Sequence, residues 1–187
     1  MEPCKPTTRE DIAPKFERIG DAGWADEITT LFHAYDAPLP TPCSETALSS
    51  VEDERGITLP SEYRLFMATL GPVAFGYAAM LPPLTTETSA DVWFHDRLPQ
   101  DIMDDLQNCL TVCDLGGSGD FLAVDLYTGA CRLLDHTSAT APHAFESFSE
   151  FARWALVDLY VGHYGWPDES VEALVSSYKA ELSPLRI

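Results

Sequence analysis

The apolar positions of this chain follow two rhythms, a helical one towards both ends and a strand-like one in the middle. Trp24, Ile28, Leu31, Phe32 and Tyr35 fall on one face of a helix that Asp21 can cap and that stops before Pro38. Ser44 can cap a second helix, with Glu45 at the favoured end of its dipole, Leu48 and Val51 on the inner face, and Gly56 in the left-handed position after it. The acidic run Glu52 to Glu54 is then expected to face solvent. A third helix starts at Pro60 or Ser61, repeats Tyr63, Phe66, Met67 and Leu70, and ends at Gly71 and Pro72. Its stripe suits a sheet face, with Tyr63 burying its ring and keeping its hydroxyl at the rim.

Strand signals follow. Val73 to Leu81 reads as one internal strand with a bulge at Gly76, and Val92 to Phe94 as an aromatic strand after the polar loop Thr85 to Ala90. Pro99 can start a short helix between Leu98 and Leu106, with Asp101, Asp104 and Asp105 on its outer side. Leu110 to Leu115, Phe121 to Leu126 and Cys131 to Asp135 are rich in branched and apolar residues. Glycine-containing turns separate them, so they are expected to pair as an antiparallel meander. Asp125, just before the second turn, is expected to accept hydrogen bonds from Thr128 to Ala130.

Ser147 and Glu150 form a capping box for a closing helix. Its face of Phe148, Phe151, Ala152, Ala155 and Leu159 is widened by Trp154, Leu156, Val157 and Tyr160, which predicts burial on two sides. A last helix runs from Pro167 or Asp168 through Val171, Leu174, Val175, Tyr178 and Leu182 to Pro184. The division that follows is an N-terminal arm and extension helix at 1–43, joined by the stiff run Pro38, Pro40 and Pro42, an α+β domain at 44–160, and a C-terminal helix packed on it at 161–187. The predicted class is α+β, an antiparallel, mostly meandering sheet packed by helices.

Composition narrows the function. With 187 residues, 45% hydrophobic and 22% charged, the chain can bury a core of its own. The start MEPCKPTTRED has no apolar stretch after its basic residue, and the longest uncharged run, Gly71 to Thr86, is short and proline-broken, so neither a secretory signal nor a membrane span is expected. Five cysteines at irregular spacing argue against a disulfide framework and for a reducing cytoplasm, with Cys109 and Cys113 as core thiols. Thirty acidic against eleven basic residues give a net charge of −19, which repels nucleic acid and anionic lipid and attracts a basic protein surface. Acidity can also serve solubility alone. The candidate contact residues are Asp91, Trp93, Asp96, Asp101, Asp104, Asp105 and Asp120, against which stands the plainer reading of a solvated helix face.

Reactive motifs fail on inspection. Gly116 to Asp120 lacks the last glycine of a nucleophile elbow and is followed by a strand, and it feeds no helix that would cradle a phosphate. His136 and His143 lie close to Asp135, but their loop contains Pro142 and no third ligand at helical spacing. No catalytic residue, cofactor or metal is expected, and a monomer is.

Three segments, taken in order, carry a resemblance. Ile57 to Gly71 reads ITLPSEYRLFMATLG, Leu115 to His136 reads LGGSGDFLAVDLYTGACRLLDH, and Glu146 to Trp154 reads ESFSEFARW. An LP-x-x-Y helix, a glycine-punctuated meander and a closing SF-x-x-F helix together resemble the SUKH superfamily, the Smi/Knr-like domains found widely as bacterial immunity proteins. The resemblance covers roughly Ser44 to Trp154. It implies structural roles for Leu59, Pro60, Tyr63, Phe66, Gly71, Gly119, Asp120, Asp125, Gly129, Phe148 and Phe151, and a catalytic role for none. It also implies a non-catalytic cytoplasmic protein that binds a cognate toxin and occludes its site, the charge favouring a basic, nucleic-acid-targeting toxin. A regulatory adaptor of the same fold is the alternative. A hydrolase using Asp120, Asp125 and His136 is a further one, although no nucleophile, base and orienting group stand at a recognised spacing.

Overall fold

The computed structural model of the chain describes residue 29 and residues 41–75, 78–83, 99–117, 119–152, 154 and 155. Helix α1 (Glu45–Arg55) begins where the Ser44 hydroxyl accepts the Ala47 N–H at 3.2 Å and ends at Gly56, whose φ of 64° lets its N–H return to the Glu52 carbonyl. Helix α2 (Ser61–Thr69) follows Pro60 and buries Tyr63, Phe66 and Met67. At its far end Gly71 has a φ of 72°, and a Cβ there would stand 2.0 Å from the Thr41 carbonyl oxygen, so only glycine fits. The segment leading into α1 thus crosses the end of α2, where the Cys43 N–H donates to the Met67 carbonyl at 2.8 Å.

Six strands form one antiparallel sheet in chain order: β1 (Ala74–Phe75), β2 (Ala78–Met80), β3 (Cys109–Leu115), β4 (Phe121–Asp125), β5 (Cys131–Leu134) and β6 (His143–Phe145). Helix α3 (Gln100–Asp105) precedes β3, and residues 148–152, 154 and 155 form the closing helix, α4. The α+β class and the meander expected from the sequence are therefore present. Two details differ. Val73 to Leu81 is not one bulged strand but two paired ones, with Phe75 opposite Ala78. His143–Phe145, read as loop, adds a sixth strand by pairing with β5.

Both sheet faces are covered, which is why β3 and β4 read as apolar runs without alternation. Leu110, Val112, Cys113, Leu122, Val124, Cys131, Ala144 and Phe145 join the larger core with Leu48 of α1, the α2 stripe and Phe148, Phe151, Ala152 and Ala155 of α4. On the other face Cys109, Phe121, Ala123 and Leu134 pack with Met103, Leu106 and Ala141. The β3–β4 register shifts between Thr111 and Cys113, so the bulged Val112 and its neighbour Cys113 both enter the larger core. Thr111, opposite Ala123 on the α3 side, is 2% exposed, and its hydroxyl has no hydrogen-bond partner among the described residues.

The two helical motifs of the sequence meet in one aromatic cluster. The Phe148 ring stands edge-on to Tyr63 at 5.4 Å and to Phe66 at 5.3 Å, and Phe151 lies 5.6 Å from both Phe145 and Phe148. Tyr63 is 1% exposed, so its hydroxyl is not at the rim as expected, and burial pushes its pKa well up. Capping fixes α4 in place: the Glu150 N–H donates to the Ser147 hydroxyl at 3.2 Å, the Glu146 N–H to the Glu150 carboxylate at 2.7 Å, and the Ser149 N–H to Glu62 of α2 at 2.9 Å. Glu52 also corrects the sequence reading. Its carboxylate is half-buried, accepting the Leu59 N–H at 2.9 Å and Arg64 at 2.8 Å, while Arg64 also reaches Glu45, so an ion-pair bridge ties α1 to α2.

Residue 29 is helical; the rest of the extension helix of residues 21–35, the strand of residues 92–94, the part of the closing helix beyond residue 155 and the C-terminal helix lie outside the described residues. No helix among the described residues is long and apolar enough to cross a membrane.

Candidate functional site

Helix α3 lies on the smaller core through Met103 and Leu106, and this seat decides which side of the helix meets solvent. Asp101 and Asp104 are on that side, both exposed. Asp104 is held in place by Gln100 Nε2 at 2.9 Å and Gln107 Nε2 at 3.4 Å, both donating to Oδ1. Asp105 belongs to the same helix. Asp91, Trp93 and Asp96 lie outside the described residues.

Asp120 belongs to a different neighbourhood. It stands just before β4, where its Oδ1 accepts the His136 backbone N–H at 3.0 Å and faces His136 Nδ1 at 2.7 Å. Two turns 16 positions apart in the chain are joined by this contact. Gly119, with a φ of 100°, leaves room for the imidazole, since a Cβ there would stand 3.2 Å from His136 Cγ. Asp135 completes the group. Its Oδ1 accepts the N–H groups of Thr137 at 2.7 Å and Ser138 at 3.1 Å, and its Oδ2 accepts the Ser138 hydroxyl at 2.7 Å. The Ser138 hydroxyl first, then these N–H groups and the neighbouring imidazole, hold the Asp135 carboxyl below the usual carboxylate range. Asp120, Asp135 and His136 are all half-buried and present donor atoms within 4.8 Å of one another.

His143 does not join this group. It is exposed on β6, 3.9 Å from Glu146 and paired in register with Arg132. Asp125 is at the opposite end of β4 from Asp120, about 17 Å along the strand at about 3.4 Å per residue. There it accepts the N–H groups of Tyr127 at 2.9 Å and Thr128 at 2.8 Å, close to the turn role read from the sequence. Asp120, Asp125 and His136 therefore form no catalytic trio. Thr137 Oγ1 lies 3.3 Å from His136 Nε2, just outside the reach of about 2.6–3.2 Å that a base needs to activate a hydroxyl. Burial pushes the Cys113 and Cys131 thiols well up, so these are core groups rather than nucleophiles.

The residues of the sequence motifs serve the scaffold. Leu59, Tyr63, Phe66, Phe148 and Phe151 are buried together in the larger core. Gly71, Gly119 and Gly129 all take positive φ, and Gly129 lies against Pro60. Sequence reasoning missed the Asp120–Asp135–His136 grouping and the surface aromatic Tyr127, which is 82% exposed on the turn that Asp125 ties down. The Asp-x-x-Thr-Gly spacing of that turn was the available signal for Tyr127, because Asp125 and Thr128 engage the backbone and turn the residue between them outward. No protein-family model, curated protein or solved structure matches this chain.

Proposed function

We propose that this chain is a SUKH-type protein-binding module, a cytoplasmic immunity protein that neutralises a cognate basic, nucleic-acid-targeting toxin by covering its site. The observation that carries the reading is the acidic outer side of α3 in a chain of net charge −19. Asp101 and Asp104 are exposed there on a helix whose apolar side is committed to the core. A groove built to hold phosphates is cationic, and a fixed row of carboxylates is the complement that competes for it. The aromatic cluster is consistent with the family resemblance, since the LP-x-x-Y and SF-x-x-F residues that carry it pack against one another.

Where a large secreted protein is encoded immediately upstream, the direct test is co-expression with its C-terminal domain. Rescue of growth is expected, and D101K/D104K should abolish it while leaving the fold intact. Association should also slow steeply as salt rises. Rescue that survives the charge reversal would exclude this surface. Tight binding to a regulatory protein without any rescue would point to an adaptor of the same fold.

A further inference from the structure

We propose that Asp120, Asp135 and His136 form a binding site for a divalent metal ion of the zinc class, a property that does not depend on the protein-binding reading. Three donor atoms no more than 4.8 Å apart share a point within about 2.8 Å of each, the centre of a triangle of that side. Zinc bonds to imidazole nitrogen and carboxylate oxygen are about 2.0–2.2 Å, so closing the site takes movements of up to about 0.6–0.8 Å. The turns that carry the donors are already tied together by the Asp120–His136 contacts.

The donor set selects the class of ion. One imidazole and two carboxylates suit Zn2+, Co2+ or Mn2+, whereas Cu(I) wants thiolates and Ca2+ wants six or more oxygens. An ion entering the group would take the place of the 2.7 Å Asp120–His136 contact. Ring orientation, usually supplied by a partner on the second imidazole nitrogen, would fall to Thr137 Oγ1, 3.3 Å from His136 Nε2. A bound ion would clamp the β3–β4 and β5–β6 connections across the end of the sheet.

The experiment is calorimetric titration of the full chain with Zn2+, alongside the absorption spectrum of the Co2+ form. D120N and D135N are suitable variants because the amide oxygen still accepts the backbone N–H bonds that shape both turns, and thermal melts without metal check that each variant folds. The expected result is saturable binding of one ion per chain, weakened about tenfold or more in each variant and in H136A, with no thiolate-to-cobalt charge-transfer band. No binding at millimolar Zn2+ overturns the proposal. Binding that all three variants leave unchanged, or a cobalt spectrum dominated by thiolate, places the ion elsewhere and overturns it equally.

Discussion

Replacing Phe148 by alanine removes a fully buried ring at the junction of α2, α4 and the sheet. Deleting such a side chain costs about 3–5 kcal/mol, from lost transfer energy and from a cavity that the neighbours fill only in part. Tyr63 and Phe66 approach edge-on at 5.4 and 5.3 Å and Phe151 lies 5.6 Å away, and each such pair contributes about 0.5–1.5 kcal/mol beyond burial. The alanine variant therefore belongs near the upper end of the range, at about 4–5 kcal/mol. Leucine keeps most of the volume and loses the ring edges, so F148L is expected to cost about 1–2 kcal/mol. Urea unfolding followed by far-ultraviolet circular dichroism reads both, and the leucine variant stays measurable even if total stability is at the low end of about 5–15 kcal/mol. A loss below about 1 kcal/mol in F148A would refute the claim that this ring is the shared centre of both helical motifs.

Two other outcomes follow from the same packing. Thr111→Val should raise stability by about 1 kcal/mol in urea titrations, because a buried hydroxyl without a partner among the described residues is replaced by a methyl of similar size; a loss of stability would reveal a bond to that hydroxyl. At Asp125, burial raises the carboxyl pKa, but the Thr128 N–H and hydroxyl, the Tyr127 N–H and Arg132 outweigh it and leave the pKa lowered. A lowered folded-state pKa gives stability that is fully present above the unfolded value of about 3.9 and is lost as pH falls through the folded one. The urea midpoint of the native chain should therefore drop as pH falls below about 4, and that drop should be shallower in D125N; parallel curves would contradict the turn assignment.

The local signals in the sequence were the dependable ones. Ser44, Gly56, Ser147 and Glu150 mark helix ends through bonds made within a few positions, and each bond is present. The three central strands were legible from their branched residues and glycine turns. What stayed hidden is long-range. His143–Phe145 is three residues after a proline and becomes a strand only because β5 offers an edge. Glu52 looks like one more surface acid until Leu59 and Arg64 fold back onto it. Of the candidate contact residues, Asp101 and Asp104 could be placed outward from helical spacing alone. Asp120, by contrast, is turned inward by a histidine 16 positions away that no local period can announce. Hydrophobic alternation was silent because both sides of the sheet are covered.

The irregularity at Val112 makes β3 a strand with two phases. Before it, Leu110 points to the helical layer of α1, α2 and α4; after it, the parity is inverted, and Cys113 takes that orientation instead. Excising Val112 would restore a regular ladder with Thr111 and Cys113 still aimed as they are now, at the loss of one side chain, whereas excising a residue from the evenly paired β4 would turn everything beyond the cut inside out. Val112 is therefore a permissive position for length variation, and a chain one residue shorter there is expected to keep the same architecture.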